Sequence, residues 1–487
     1  MKKKKIVVIG SGFSSLSASC YLAKAGYDVL ILEKNYEIGG RARQLKKNGF
    51  VFDIGPTFYW MPDVFESFFG DFKKSPEQFY NLIKLNPAYR VYFGQGDAIS
   101  IADNLGEIKG TFEGIEEGSA RKLEKFISLA KKNYDLAIKQ LVYKPGENVF
   151  EIINMQTILR ISDFFRSTKR QIGRYVKNKK LRSILEFPVL FLGAKPSNTP
   201  SFYNFMNYAD FGLGTWHPMG GMYKVVEAMT SLALQLGVEI RTNDPVQGFE
   251  IEGDQVKRVK TTKESYDCDI VLSGADYHHT EALLPLEFRQ YPESFWQKKI
   301  FAPSALLFYV AFDKKIKNVS HHTLFFDTDF EAHAKTIYDT NEWAEKPLFY
   351  GSFPSITDNT TAPEGKEAGI FLIPIASDLK DTPDIREQYF DQIIRRLEYL
   401  TDQKVAEHII FKESYCVNDF KADYNSYKGN AYGLANTLRQ THILRPKMKS
   451  KKLKNLYFTG QLTVPGPGVP PSLISGKIVS DLISKYH

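Results

Sequence analysis

The chain has 487 residues, enough for two or three domains, and its 43% hydrophobic content excludes a disordered protein, while a formal charge of +8 is modest for this length. No apolar run approaches the 18 or so residues of a membrane-spanning helix. Three scattered cysteines, Cys20, Cys268 and Cys416, argue against a disulfide framework or a zinc site and fit buried or free thiols in a reducing cytoplasm.

Lys2 to Lys5 meet the first strand without the apolar segment of a secretory leader, so they read as a solvated basic tail. The apolar run Ile6-Val7-Val8-Ile9 then meets Gly10-Ser11-Gly12-Phe13-Ser14-Ser15, a helical stretch follows, and a second apolar run, Val29 to Leu32, ends at Glu33. Strand, glycine turn, helix, strand and acid make the βαβ unit that binds a dinucleotide. Gly10 allows the tight turn. Gly12 lets the backbone approach a pyrophosphate at a helix N-terminus, where free N–H groups and the helix dipole favour anions. Glu33 lies roughly 20 residues on, where a carboxylate accepts from ribose hydroxyls. The third fingerprint position holds Ser15, small enough for close helix–strand packing. Gly39-Gly40-Arg41-Ala42-Arg43 follows soon after the acid, a pattern of FAD enzymes more than of NAD enzymes.

Residues 48–57 predict a short strand ending at the Gly55-Pro56-Thr57 turn. Residues 76–213 read as mainly helical, with helices over 119–138 and 161–185. Gly214 to Met222 breaks that pattern, and a helix over 223–236 closes at Gly237. Strands are predicted over 238–241, 248–251, 256–261 and 270–272. Residues 286–449 mix strands (306–312, 323–326, 370–374) with a helix over 385–400. A buried strand at 456–461 leads through a Pro/Gly loop to a last helix over 473–483. The nucleotide-binding features are therefore split, and the expected division is 1–75, 215–285 and 450–487 for one discontinuous domain. Residues 76–214 would form a helical region for substrate and membrane docking, and 286–449 a substrate lobe containing a sheet.

Five segments resemble, in order, the carotenoid desaturases of the phytoene-desaturase type in the flavin amine oxidase superfamily: IVVIGSGFSSLSASCYLAKAGYDVLILEKNYEIGGRARQ (6–44), FVFDIGPTFYWMP (50–62), GTWHPMGGMYKVVEAM (214–229), IVLSGADYHHT (270–280) and NLYFTGQLTVPGPGVPPSLISGK (455–477). The resemblance implies an α/β fold, with a Rossmann-type FAD-binding domain split in sequence and a second lobe of mixed sheet and helices. It also implies non-covalent FAD and dehydrogenation of a long isoprenoid. Carried over position by position, it puts Gly10, Gly12, Phe13, Ser14 and Ser15 at the pyrophosphate, and Glu33 with Lys34 at the adenosine ribose. Gly40, Arg41 and Ala42 would flank the diphosphate and ribityl chain, and Gly55, Pro56 and Thr57 the isoalloxazine. Val246 would contact adenine, Gly460 and Gln461 the ribityl and phosphate region, and Val469 and Pro470 the flavin ring. Gln461 stands where many relatives carry a carboxylate.

The resemblance places the Gly220-Gly221 turn facing the cofactor, so His217 is either a proton acceptor near neutral pH or a structural cap of that turn. The pairs His278-His279 and His321-His322 would point apart on strands, which argues against a metal. Aromatics at 14% fit a large apolar cavity or simply aromatic-rich cores. Basic residues accumulate from Arg166 to Arg182 ahead of the apolar run 184–192. That combination suits an anionic lipid surface or a solvated helix leading into the core, and no motif accompanies it that would indicate nucleic acid. The expectation is a carotenoid substrate, peripheral attachment to the inner face of the cell membrane, and a quinone or oxygen as electron acceptor. A carotene isomerase or saturase, and a flavin-free prenyl-binding escort, are the competing readings.

Overall fold

The computed structural model describes residues 3–148, 151, 163, 166–190, 193–437 and 440–487. Five short strands pair in parallel in the order Leu456–Phe458, Ile270–Ser273, Lys5–Ile9, Asp28–Leu32, Glu239–Arg241. Ile6 to Ile9 are all buried, as a parallel sheet covered on both faces requires. Helix Phe13–Lys24 packs beside this sheet against helices Tyr223–Gln235 and Val469–Tyr486. The last contact depends on Gly476: a Cβ there would stand 2.6 Å from the Ser14 carbonyl and from the Ser17 Cβ.

The second sheet has seven strands, in the order Ile409–Tyr415, Ser304–Phe312, Glu367–Ile375, Phe349–Ser352, His322–Phe325, Tyr89–Gly94, Asp97–Ile101. Its pairings are antiparallel except for Tyr89–Gly94 with His322–Phe325. Ser304–Phe312 is buried at every position, because helix Pro383–Thr401 packs over one face and the Phe50–Phe52 hairpin over the other.

Two expectations need correction. The reading of 76–213 as mainly helical misses strands at Leu82–Lys84, Tyr89–Gly94 and Asp97–Ile101. Tyr89 and Val91 are buried with Arg90 half-exposed between them, a period-2 signal that the longer helical pattern downstream masks. The helix expected over 161–185 is two helices among the described residues, Thr168–Ile172 and Lys179–Leu190. Ser167 caps the first (Oγ accepts from Arg170 N, 3.3 Å) and Gly173 ends it. Within that stretch, residues 161, 162, 164 and 165 lie outside the described residues.

Candidate functional site

Two glycine backbones build the floor of the site. Gly10 has φ +85°, a conformation glycine adopts freely, and its N–H donates to Leu32 O (2.8 Å), which ties the turn to the next strand. Gly12 is the N-cap of helix Phe13–Lys24, and no side chain caps that end. A Cβ built on Gly12 meets nothing within 4 Å, so it would project into open space where the helix presents its free N–H groups. Gly40 lies over it, its notional Cβ 3.2 Å from Gly12 Cα. Gly468 starts helix Val469–Tyr486, again with no side-chain cap, and Gly468, Val469 and Pro470 line the same cavity.

Side chains complete this cradle. The Glu33 carboxylate is buried and accepts from Ser11 N (2.9 Å), Ser11 Oγ (2.7 Å) and Asn35 N (2.9 Å). Lys34 Nζ donates to Ala422 O at 2.6 Å, and burial lowers its pKa. Arg41 stacks over Tyr424 at 4.8 Å and donates through Nη2 to Ser426 Oγ (3.2 Å) and Asn430 O (3.3 Å). Its Nε has no partner and no carboxylate lies within 4 Å among the described residues, while burial lowers its pKa. A half-buried cation whose hydrogen-bond partners are all neutral fits a site for an anion. Gly55 is forced by the same loop, because a Cβ there would overlap the Arg41 carbonyl.

A cavity of about 1460 Å³ runs from this cradle into the second lobe. Gly10, Gly12, Phe13, Ser14, Glu33, Lys34, Gly40, Arg41, Ala42, Gly55, Pro56, Thr57, Val246, Gly460, Gln461, Val469 and Pro470 all line it. Beyond Thr57 the walls turn apolar, with Phe58, Trp60, Met61, Phe187, Phe326 and Leu348.

Two expected site residues are elsewhere. Ser15 does not border the cavity: one helical step past Ser14 it turns toward the sheet, and its Oγ fills the space where a Cβ on Gly274 would sit. The third fingerprint position thus serves packing. His217 does not border the cavity either. It is 2% exposed, its Nε2 is 3.0 Å from Asp358 Oδ2, and the same oxygen accepts from Gly220 N at 2.5 Å. Burial alone would raise the Asp358 carboxyl, but the hydrogen bonds from His217, Thr360 and Gly220 outweigh it and hold it well below the usual carboxylate range. This geometry makes His217 an anchor of the turn.

The adjacent histidines also differ from expectation. His278 and His279 lie on helix Tyr277–Ala282, capped by Asp276, and His279 borders the cavity beside Asn425 (Nε2 to Nδ2, 3.1 Å). His321 precedes its strand at a bend, so strand alternation does not apply, and its ring centroid is 4.5 Å from that of His322. Among the described residues, no group of three or more His, Cys, Asp or Glu side chains is arranged to hold a metal. The apolar run after Arg182 is no surface patch: Ile184, Leu185, Phe187 and Val189 are buried, and Phe187 and Leu190 line the cavity. Residues 191–192 lie outside the described residues. Sequence reasoning missed Tyr350 and Tyr424, cavity residues whose only local signal is membership of a strand and of a helix end.

Comparison with known proteins accounts for this arrangement. The flavin containing amine oxidoreductase family matches residues 13–484. The chain is 37% identical over 484 residues to a carotenoid 3,4-desaturase of Haloarcula japonica, covering 98% of this chain and 97% of that one. It is 32% identical over 498 residues to the 4,4'-diapophytoene desaturase (4,4'-diaponeurosporene-forming) of Staphylococcus aureus strain Newman, covering 99% of each. An oxidoreductase from Methanosarcina mazei shares the fold at a TM-score of 0.63 and 17% identity, over 98% of this chain and all of that one. The uncapped N-terminus of helix Phe13–Lys24, the open face of Gly12 and the free Nε of Arg41 fit the diphosphate of a dinucleotide, and Glu33 fits its ribose. The chain belongs to the flavin containing amine oxidoreductase family, and its cofactor is FAD.

Proposed function

We propose that this protein is an FAD-dependent carotenoid desaturase that introduces C=C bonds into a long isoprenoid polyene. The carrying observation is the continuous cavity, which joins a dinucleotide cradle to an apolar arm suited to a hydrocarbon chain. The names of the two relatives support the same reaction, and that of the 37% identical one favours the 3,4 bond.

Bound FAD supplies the acceptor for a hydride equivalent. The chain's own residues position and shield the reactants. Phe58, Trp60 and Phe187 exclude water from the arm beside Thr57 and hold an extended polyene in one direction. Holding reactants in near-attack geometry contributes about 7–11 kcal/mol to such a step. The cradle residues named above bind the dinucleotide, with Arg41 offsetting diphosphate charge and Glu33 accepting from the ribose. In this reading residues 1–75, 215–285 and 450–487 form the FAD domain, and 76–214 with 286–449 contribute the substrate lobe.

The substrate is insoluble in water, so we also propose peripheral attachment to the inner face of the cell membrane, with a quinone or oxygen taking electrons from the reduced cofactor. No helix among the described residues is long and apolar enough to cross a membrane. Lys169 pairs with Glu331 and Lys180 with Asp97. Docking therefore falls to the exposed cations Arg174, Lys177 and Lys179, each contributing on the order of 1 kcal/mol at an anionic surface. Flotation with anionic liposomes should fall with salt and with K177E/K179E; unchanged flotation in both moves the surface elsewhere.

The reaction is tested by mixing the oxidised holoprotein anaerobically with carotenoids in liposomes, without nicotinamide. Bleaching of the flavin band with products carrying additional conjugated double bonds is expected. Product formed while the flavin stays oxidised would identify an isomerase instead.

A further inference from the structure

A hydrogen-bonded file of polar side chains runs from the wall of the apolar arm into the core. Thr57 and Tyr350 both line the cavity, and their hydroxyl oxygens are 2.8 Å apart. The Tyr350 hydroxyl is in turn 2.6 Å from Nδ1 of His322. Strand pairing sets this contact: His322 faces Ser352 across antiparallel strands, and Tyr350 is two residues away on the same face. The His322 ring is 0% exposed and lies flat on Phe58 at 3.9 Å and 14°. Its Nε2 has no hydrogen-bond partner among the described residues. Behind it the His321 ring follows at 4.5 Å and the His217 ring at a further 4.5 Å between centroids, packed without hydrogen bonds between the rings; His321 Nδ1 lies 3.0 Å from Thr357 Oγ1, and Asp358 holds His217 at the end of the row.

Packing alone does not account for this file. A buried polar nitrogen without a partner is costly, and a phenylalanine at 322 would stack on Phe58 without that cost. Burial, with a smaller contribution from His217, holds the His322 ring well below its ordinary pKa, so it is neutral and can accept the Tyr350 phenolic hydrogen at Nδ1. The hydroxyl it touches is set in an otherwise apolar wall beside Thr57, where a polyene would pass.

We propose that Tyr350, backed by His322, accepts the proton released when the double bond forms. The proposal rests on the desaturase reading. One carbon loses hydrogen with both bonding electrons, the hydride equivalent destined for bound flavin. At the adjacent carbon the C–H bond breaks and its electron pair becomes the π bond. That proton bonds to the Tyr350 oxygen as the phenolic proton shifts to His322 Nδ1. The resulting imidazolium lies in a row that ends on the Asp358 carboxylate, and it returns its proton through Tyr350 when water re-enters. The carbon that gives up the proton has cation character, so a weak acceptor held in place suffices. Tyr350 is the catalytic residue, and His322 is a positioning and relay residue.

The test is single-turnover flavin bleaching at saturating carotenoid in liposomes, with FAD content and half-saturation measured alongside. Tyr350→Phe removes only the hydroxyl and is expected to slow bleaching about 100-fold, with FAD stoichiometric and half-saturation within twofold. His322→Gln keeps an acceptor for the phenol but cannot take its proton, and is expected to slow bleaching to a similar degree. The double variant is expected to be no slower than Tyr350→Phe, because the two act as one relay. Bleaching by Tyr350→Phe within tenfold of the unmodified rate overturns the proposal, as does multiplication of the two single effects. Should His322→Gln fail to hold FAD, Tyr350→Phe alone decides. Absence of bleaching in the unmodified protein with every carotenoid overturns the desaturase reading itself, a separately recognisable result.

Discussion

The cradle and the apolar arm are two ends of one cavity, built by different means. The cradle is made largely of backbone: Gly10, Gly12 and Gly40 at a strand–helix turn, and two helix N-termini without side-chain caps. The arm is made of side chains from distant segments: Thr57 from a loop, Phe187 from helix Lys179–Leu190 and Tyr350 from the seven-stranded sheet, with His322 behind Tyr350. Backbone recognition tolerates little change at a few positions but is written in a short stretch of chain. Side-chain recognition spreads over long loops and is adjusted residue by residue, so the cradle suits a fixed cofactor and the arm a variable hydrocarbon.

The sharpest way to break this contrast is Gly12→Val. A Cβ at this position points into the cradle and meets no protein atom within 4 Å, so the fold should persist while FAD is lost entirely. Flavin absorbance after gel filtration checks it, and stoichiometric FAD in the variant would remove the phosphate role from this loop.

His217 tests the arm's support next. His217→Ala leaves the Asp358 carboxylate buried without its imidazole. Losing a hydrogen bond to a buried charged group costs about 1.5–3 kcal/mol, readable in urea unfolding, and His217→Gln should cost less because the amide still donates. Full stability with loss of flavin bleaching alone would restore His217 as a proton acceptor.

Arg41→Met sharpens the comparison on the cradle side. Hydrogen bonds to charged groups contribute about 1.5–3 kcal/mol, so FAD affinity should fall at least tenfold. The apoprotein should lose little stability, because Arg41 has only neutral partners there. An equal loss of stability in the apoprotein would make Arg41 a structural residue.

The smallest expected effect concerns Asp210, buried beneath the arm with Tyr89 donating to it at 2.8 Å. Burial pushes its carboxyl up to about 8. A pKa raised in the folded state gives stability that is present below the unfolded value, near 4, and is lost as pH rises through about 8. Thermal unfolding of the protein should thus weaken from pH 6 to pH 9, and Asp210→Asn should flatten that slope. An unchanged slope would assign the alkaline loss to another group. Asp358 acts in the opposite sense: its lowered pKa gives stability that disappears only as pH falls below the ordinary carboxylate range.

The sequence by itself determined the cradle and most strand and helix positions near it. The reason is that its requirements are local: a turn with φ +85° at Gly10, free N–H groups after Gly12, and a carboxylate one strand later. The same local logic marks Gly55 and the Gly460 strand end. The sequence also singled out Ser15 and His217, but which way each faces was decided by tertiary packing, against Gly274 in one case and Asp358 in the other. The apolar run after Arg182 carries the same ambiguity, since a hydrophobic segment beside cations reads alike whether it meets lipid or lines a cavity; Phe187 turns inward because strand and helix close over it. His322 and Tyr350 are 28 residues apart, and Thr57 lies 293 residues from Tyr350. No periodicity links positions so far apart: sheet register sets the Tyr350 hydroxyl against the His322 imidazole, and the loop carrying Thr57 packs onto them from another part of the chain.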